Sequence, residues 1–186
     1  MQARLVDETN VPDLLAAAAA AAAAGVDAVV VGTGELGDAV TLASAIAVTT
    51  PRIGVGVLVN LTTQPHRHPT VMAREMTALD LVAGGRTILV FGAPFGEAVI
   101  EAVLLTRAMC TEGVAASDGP IYPVAGAINR PRPKSPSSPR LALDLSAGGA
   151  VDPELLRVVD LVLVPEGQTQ SASLPAGVEQ WQFGRS

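Results

Sequence analysis

The sequence predicts an α/β fold built on a parallel sheet, and three observations carry that expectation. Short apolar runs recur at Ala28 to Gly32, Arg52 to Val59, Thr87 to Phe91, Leu141 to Leu145 and Leu161 to Val164. They lack clean alternation, as strands covered on both faces do. Between most of them lie segments of helical periodicity bounded by capping residues and glycines.

The elements follow in order. Ala3 to Val6 reads as a first strand, and Asn10 caps a helix with Pro12 in its first turn that runs to about Ala24. Leu14 to Gly25 is nearly pure alanine. Asp7, Glu8 and Asp13 precede it, whereas an export signal opens basic, so a close-packed helix is expected. After the second strand, Asp38 starts a helix to about Thr49. The third strand, Arg52 to Val59, is too short to span a membrane. Met72, Met76, Leu79 and Val82 place a helix over Pro69 to Ala83, and Gly84-Gly85 stops it.

Thr87 to Phe91 forms the fourth strand, and Glu97 to Cys110 a helix. Gly113 to Val124 suggests a hairpin around Ser117-Asp118-Gly119-Pro120. Asn129 to Pro139 reads as a rigid, exposed connection rich in proline. Leu141 to Leu145, Pro153 to Val159 and Leu161 to Val164 complete the alternation as strand, helix and sixth strand. Beyond Pro165 the chain is polar and weakly patterned until Val178 to Phe183, which reads as a loosely packed tail. The expected organisation is one domain over 1–167 and a C-terminal tail over 168–186.

Composition narrows the function classes. The chain has 186 residues, 49% of them hydrophobic and 3% aromatic, and carries a net charge of −6. Without a basic run or stacking aromatics, nucleic-acid binding is excluded. No segment reads as a membrane span. The lone Cys110 forms no internal disulfide, which fits a cytoplasmic setting, and its place near a helix end suits a small core residue.

Motifs with chemical content are sparse. His66 and His68 stand two apart and share no helical face, so no metal site is expected. His66, beyond the third strand, sits where a proton shuttle could act, although a solvated loop histidine is the simpler reading. Gly32-Thr33-Gly34-Glu35-Leu36-Gly37 fits GxGxxG after a strand. The acidic residue a dinucleotide fold needs about 20 positions later is missing, so a tight turn is expected. Glu97 and Glu101 share a helix face and read as solvated rather than as an acid/base pair.

A family resemblance rests on a series of short motifs. Arg52-Ile53-Gly54-Val55-Gly56-Val57 is followed by His68-Pro69, Ala73-Arg74, Ala78-Leu79-Asp80 and Gly85-Arg86, with a strand ending at Gly92. Asp118-Gly119-Pro120-Ile121-Tyr122 and Arg130-Pro131-Arg132-Pro133 come later. In order and spacing this series resembles the bacterial luciferase-like flavin- or F420-dependent oxidoreductases, over roughly 26–167.

The resemblance implies a (β/α) TIM-barrel-like fold. It also implies hydride transfer between a flavin or deazaflavin (FMN or F420) and a small-molecule substrate, of the monooxygenase type. The alternative is a non-catalytic relative acting as a binding or assembly subunit. In the family the ring lies on the strand ends, with a bulge and an unusual peptide bond near the end of the third strand. This maps the cofactor-binding residues to Val57, Leu58, Asn60, Gly92 and Ala93 and leaves the catalytic residues unassigned. Beside the family's loops, those after Gly32 and Gly92 are short, and about six strands are expected. Such an incomplete barrel leaves two sheet edges unpaired, so a homo-oligomer through those edges or the apolar helices is expected.

Overall fold

The computed structural model describes residues 1–32, 36–62, 67–134, 137–148, 150–169 and 174–185. Its strands and helices alternate through most of the chain: β1 (Gln2–Val6), α1 (Val11–Ala23), β2 (Ala28–Val31), α2 (Ala39–Thr49), β3 (Gly54–Val59), α3 (Pro69–Ala83), β4 (Thr87–Gly92) and α4 (Glu97–Thr111). A hairpin follows, β5 (Val114–Ser117) and β6 (Val124–Ile128). The chain then continues through β7 (Arg140–Asp144), α5 (Pro153–Val158), β8 (Leu161–Pro165) and β9 (Glu179–Arg185).

Local chemistry sets these boundaries. The Asn10 side chain accepts from the Asp13 amide at 2.9 Å, and the Asp38 side chain from the Thr41 amide at 2.9 Å, capping α1 and α2. Gly84 ends α3 at φ +69°, a left-handed conformation that glycine adopts without a Cβ penalty.

The sheet closes into a parallel barrel in the order β1-β2-β3-β4-β7-β8-β9. This bears out a TIM-barrel-like α/β architecture, with seven strands where about six were expected. The missing strand is β9, which pairs in parallel with β8 (Leu163 opposite Trp181) and with β1 (Ala3 opposite Phe183). Two sequence expectations are corrected here. The tail is not loose at its end, and the barrel has no unpaired edge between β8 and β1. Edge-to-edge assembly through those strands therefore loses its physical basis.

Side chains alternate between two cores. Val29, Val55, Val57, Leu89 and Leu141 face the helices, with Leu14, Ile46, Met72 and Met109 packed over them. Ala28, Val30, Ile88, Val90, Leu161, Leu163, Trp181 and Phe183 fill the barrel interior. Each fully buried aliphatic contributes about 1.5–3 kcal/mol against exposure. The β3 glycines are required by this interior. A Cβ on Gly56 would lie 3.1 Å from Val30 Cγ2 and 3.2 Å from the Ile88 carbonyl. The β3–β4 register runs unbroken from Val55–Thr87 to Val59–Phe91, and the described cis peptide bonds all precede proline. Within that register no bulge interrupts β3.

The proline-rich connection is exposed only in its middle, a further correction. Asn129, 1% exposed, donates from Nδ2 to Thr77 Oγ1 at 2.8 Å and to the Met109 carbonyl at 3.2 Å. At the other end Asp80, fully buried at the close of α3, gathers three donors. Thr87 Oγ1 donates at 2.5 Å, the Lys134 amide at 2.7 Å, and the Ser138 hydroxyl also donates. One carboxylate thus ties α3, the start of β4 and the connection into β7.

Removing that acceptor would leave three donors without it, one at the start of β4 and two on the connection, the Thr87 and Ser138 hydroxyls being buried. Asp80→Ala is expected to cost about 3 kcal/mol in urea unfolding, and Thr87→Val about 1 kcal/mol. A loss below 1 kcal/mol for Asp80→Ala would show that the connection is held by something else.

Candidate functional site at the strand C-terminal ends

The C-terminal ends of the barrel strands form one mouth, the side on which such barrels carry chemistry. On it lies a cleft of about 560 Å³ between the loops after β4 and β7. Ala93, Pro94, Phe95 and Gly96 line one side, and Ala147, Gly148 and Ala150 the other. Gly96 also caps α4 without a side-chain hydrogen bond, so the start of that helix borders the cleft. No charged side chain lines it among the described residues.

Of the five sequence-mapped residues only Ala93 lines this cleft, while Leu58, Asn60 and Gly92 gather beside it at the ends of β3 and β4. Leu58 packs with the barrel-interior cluster. The Asn60 side chain crosses from the end of β3 to β4, donating from Nδ2 to the Ala93 carbonyl at 3.0 Å. Its Oδ1 accepts from the Thr62 amide at 2.9 Å and hydroxyl at 2.5 Å. Gly92 lies beside them: a Cβ there would sit 3.6 Å from Leu58 Cδ1 and 3.9 Å from Asn60 Cβ, ordinary contact distances. Val57 is the exception. Its side chain packs in the helix-facing core, so only its backbone faces the barrel side.

The other sequence candidates have structural roles or fall outside the described residues. His66 and Thr33 to Glu35 are outside them. His68 caps α3, with Nδ1 accepting from the Thr70 amide at 3.3 Å, and its ring meets Tyr122 edge-on at 5.4 Å. Glu101 is not free: its carboxylate accepts the Tyr122 amide at 2.8 Å and so holds the turn between β5 and β6. Burial pushes the Cys110 thiol up to about 11, with Thr77 hydrogen bonding and the Arg107 charge opposing, so it is no ready nucleophile.

Sequence reasoning missed the loop after β7. Gly92 stands opposite Asp144 in register, and Asp144, 3% exposed, accepts the Ser146 amide at 2.9 Å. The Ser146-Ala147-Gly148 run that follows carries no side chain with a chemical signature. Only its place after a strand could have flagged it.

An ion-pair group braces the rim. Arg67 bonds Asp38 at 2.8 Å and reaches Glu75 at 3.4 Å, joining the loops after β2 and β3. Burial raises the Asp38 pKa, but Arg67 and the Thr41 donors outweigh it and hold the carboxyl below its ordinary 3.8. Burial lifts Glu75, against the attraction of Arg67. A depressed folded value means that Asp38 stabilises above its unfolded pKa, and that this is lost as pH falls through the folded one. Solvent screening limits the pair to about 0.5 kcal/mol. Arg67→Gln should therefore lower stability by that amount near pH 7, and the gap from wild type should shrink in acid denaturation below pH 3.8. A gap that persists in acid would assign Arg67 a packing role instead.

Comparison with known proteins places this geometry. The sequence profile described as luciferase-like monooxygenase matches residues 1–158. A search of curated proteins gives no match. Among solved structures, the coenzyme F420-dependent tetrahydromethanopterin reductase of Methanopyrus kandleri superposes with a TM-score of 0.68 at 17% identity, covering 88% of this chain and 55% of the reductase. A monooxygenase from Streptomyces bottropensis gives 0.68 at 19% identity, covering 91% and 61%. The oxygenating constituent of 3,6-diketocamphane monooxygenase from Pseudomonas putida, solved with FMN, gives 0.58 at 16% identity, covering 80% and 51%. The chain thus spans roughly half to three fifths of the length of these structures. With its profile match over most of its length, the chain belongs to the luciferase-like monooxygenase family.

Proposed function

We propose that the mouth between β3, β4 and β7 receives the ring of a flavin or deazaflavin, FMN or F420, and that the chain supports hydride transfer between it and a small molecule. The observation that carries this reading is the position of the apolar cleft. It opens at Ala93, just past the end of β4, whose carbonyl accepts the Asn60 cross-link. Support also comes from the family and from neighbours whose descriptions name F420 and FMN.

The residues fit a flat, largely apolar ring. Gly92 itself is buried against Leu58 and Asn60, and the backbone open to a planar group is that of Ala93 and Gly96, where a Cβ on Gly96 would meet nothing within 4 Å. Phe95 and Pro94 offer apolar side contacts. When bound, such a ring supplies a two-electron donor or acceptor. The chain's own contribution is orientation and exclusion of water. Asn60 acts as a positioning residue, because both ends of its amide are engaged in pinning the ends of β3 and β4. Gly96 opens α4 at the cleft, where backbone amides favour an anionic group of the ligand.

One observation favours a second reading. The cleft lining has no charged side chain among the described residues, so acid–base catalysis has no evident agent there. A non-catalytic relative that binds a ligand or a partner would need none.

The test is spectroscopic. The absorbance of FMN and of F420 is followed on titration with the full chain, and a perturbed spectrum with micromolar affinity is expected for one of them. Gly96→Leu is expected to fold with stability changed by about 1 kcal/mol or less, because a side chain there enters the open space of the cleft and meets nothing within 4 Å of its Cβ. It should weaken binding about tenfold, equivalent to ~1.4 kcal/mol. Absence of binding for both cofactors at millimolar concentration would end the oxidoreductase reading. Binding that Gly96→Leu leaves intact would move the ring elsewhere.

A further inference from the structure

The opposite, N-terminal mouth of the barrel carries a second cleft, of about 340 Å³, whose character differs from the first. Three adjacent strands enter the barrel with an arginine at or just before their first residue: Arg52 ahead of β3, Arg86 ahead of β4, and Arg140 at the start of β7. All three line this cleft, with Asp27 as the one acidic lining residue, in a chain whose net charge is −6. Gly54 leaves the opening clear of a side chain, and Trp181 reaches it from β9.

The nearby carboxylates are already committed. Asp27 accepts the Gln2 amide at 2.7 Å. Glu179 accepts from Trp181 Nε1 at 2.8 Å and pairs with Arg140 at 3.1 Å. The Arg140 guanidinium also stacks on Trp181, 5.2 Å from the ring centroid. Arg86 donates to the Ile53 carbonyl and has no acidic partner among the described residues. Burial pulls its guanidinium below its ordinary value, the sign of a half-buried cation without a compensating charge. Arg52 is exposed and has neither a hydrogen bond nor an ion pair among the described residues. Each guanidinium carries five N–H donors, so most of the donors facing this cleft are unused.

We propose that this N-terminal cleft is a binding site for a phosphate group, held by Arg52, Arg86 and Arg140 and walled by Trp181. The guanidinium fork matches phosphate oxygens in paired hydrogen bonds. Arg52 and Arg86, without a carboxylate partner among the described residues, supply the charge for the anion, and Arg140, already paired with Glu179, adds N–H donors. The volume accommodates inorganic phosphate or a one-ring phosphomonoester and is too small for a dinucleotide. This site lies at the end of the barrel away from the flavin cleft and stands independently of that reading.

The chain's one tryptophan reports on the site directly. Its emission is followed while the full chain is titrated with inorganic phosphate or phenyl phosphate, at ionic strength held constant with chloride. A saturable change with a Kd below about 1 mM is expected for at least one probe, and which one responds distinguishes free phosphate from an ester. Arg52→Gln should weaken it at least tenfold while thermal unfolding without ligand stays unchanged, and Arg52→Glu should abolish it. No saturable change beyond the chloride reference would overturn the proposal. So would an unaltered affinity in Arg52→Gln.

Discussion

Pairing of β9 with two partners is the constraint on which the rest of the structure depends. The Glu179 amide donates to the Asp160 carbonyl at 3.0 Å at the β8 side, and the Gln182 amide to the Met1 carbonyl at 3.1 Å at the β1 side. Through those two ladders an otherwise open sheet becomes a cylinder. Closure places Trp181 and Phe183, 7% and 3% exposed, inside it. It also removes the two strand edges that would otherwise template association. The barrel therefore achieves with seven strands what the fold ordinarily achieves with eight.

Closure gives the two mouths different chemistry. At the C-terminal end the loops after β4 and β7 carry mostly small residues, and the resulting cleft has no charged side chain among the described residues. At the N-terminal end the strands begin with arginines around a tryptophan, and the cleft is cationic. Between them the interior is filled by Val30, Ile88, Val90, Leu161 and Leu163. The packed interior separates the two ends, so a ligand at one has no passage to the other.

Most of the fold was legible because burial writes a continuous apolar run. The strands β2, β4, β7 and β8 are covered on both faces, and the sequence shows it. The strand β9 was less readable for a physical reason. Its Gln180 and Gln182 side chains bond Gln168, and Gln182 also takes the Gly167 amide, instead of packing under a helix. Polar and apolar residues therefore alternate along β9, and it reads unlike its neighbours. The connection before β7 misled in the same way: its prolines signal exposure, while Asn129 and Ser138 at its ends are buried by partners distant in sequence. At the candidate site, strand parity separates Leu58 from Val57 and was available in the sequence. The cleft wall after β7 was not, since alanine and glycine announce no chemistry.

The closed seven-strand barrel is tested most directly by native-state hydrogen exchange of β9. The Gln182 amide and its neighbours in β9 are expected to be protected to the same degree as the central strand β4, exchanging only with global opening. Rapid exchange of β9 while β2, β3 and β4 stay protected would contradict the account, because it would describe an open sheet with a loose C-terminal segment.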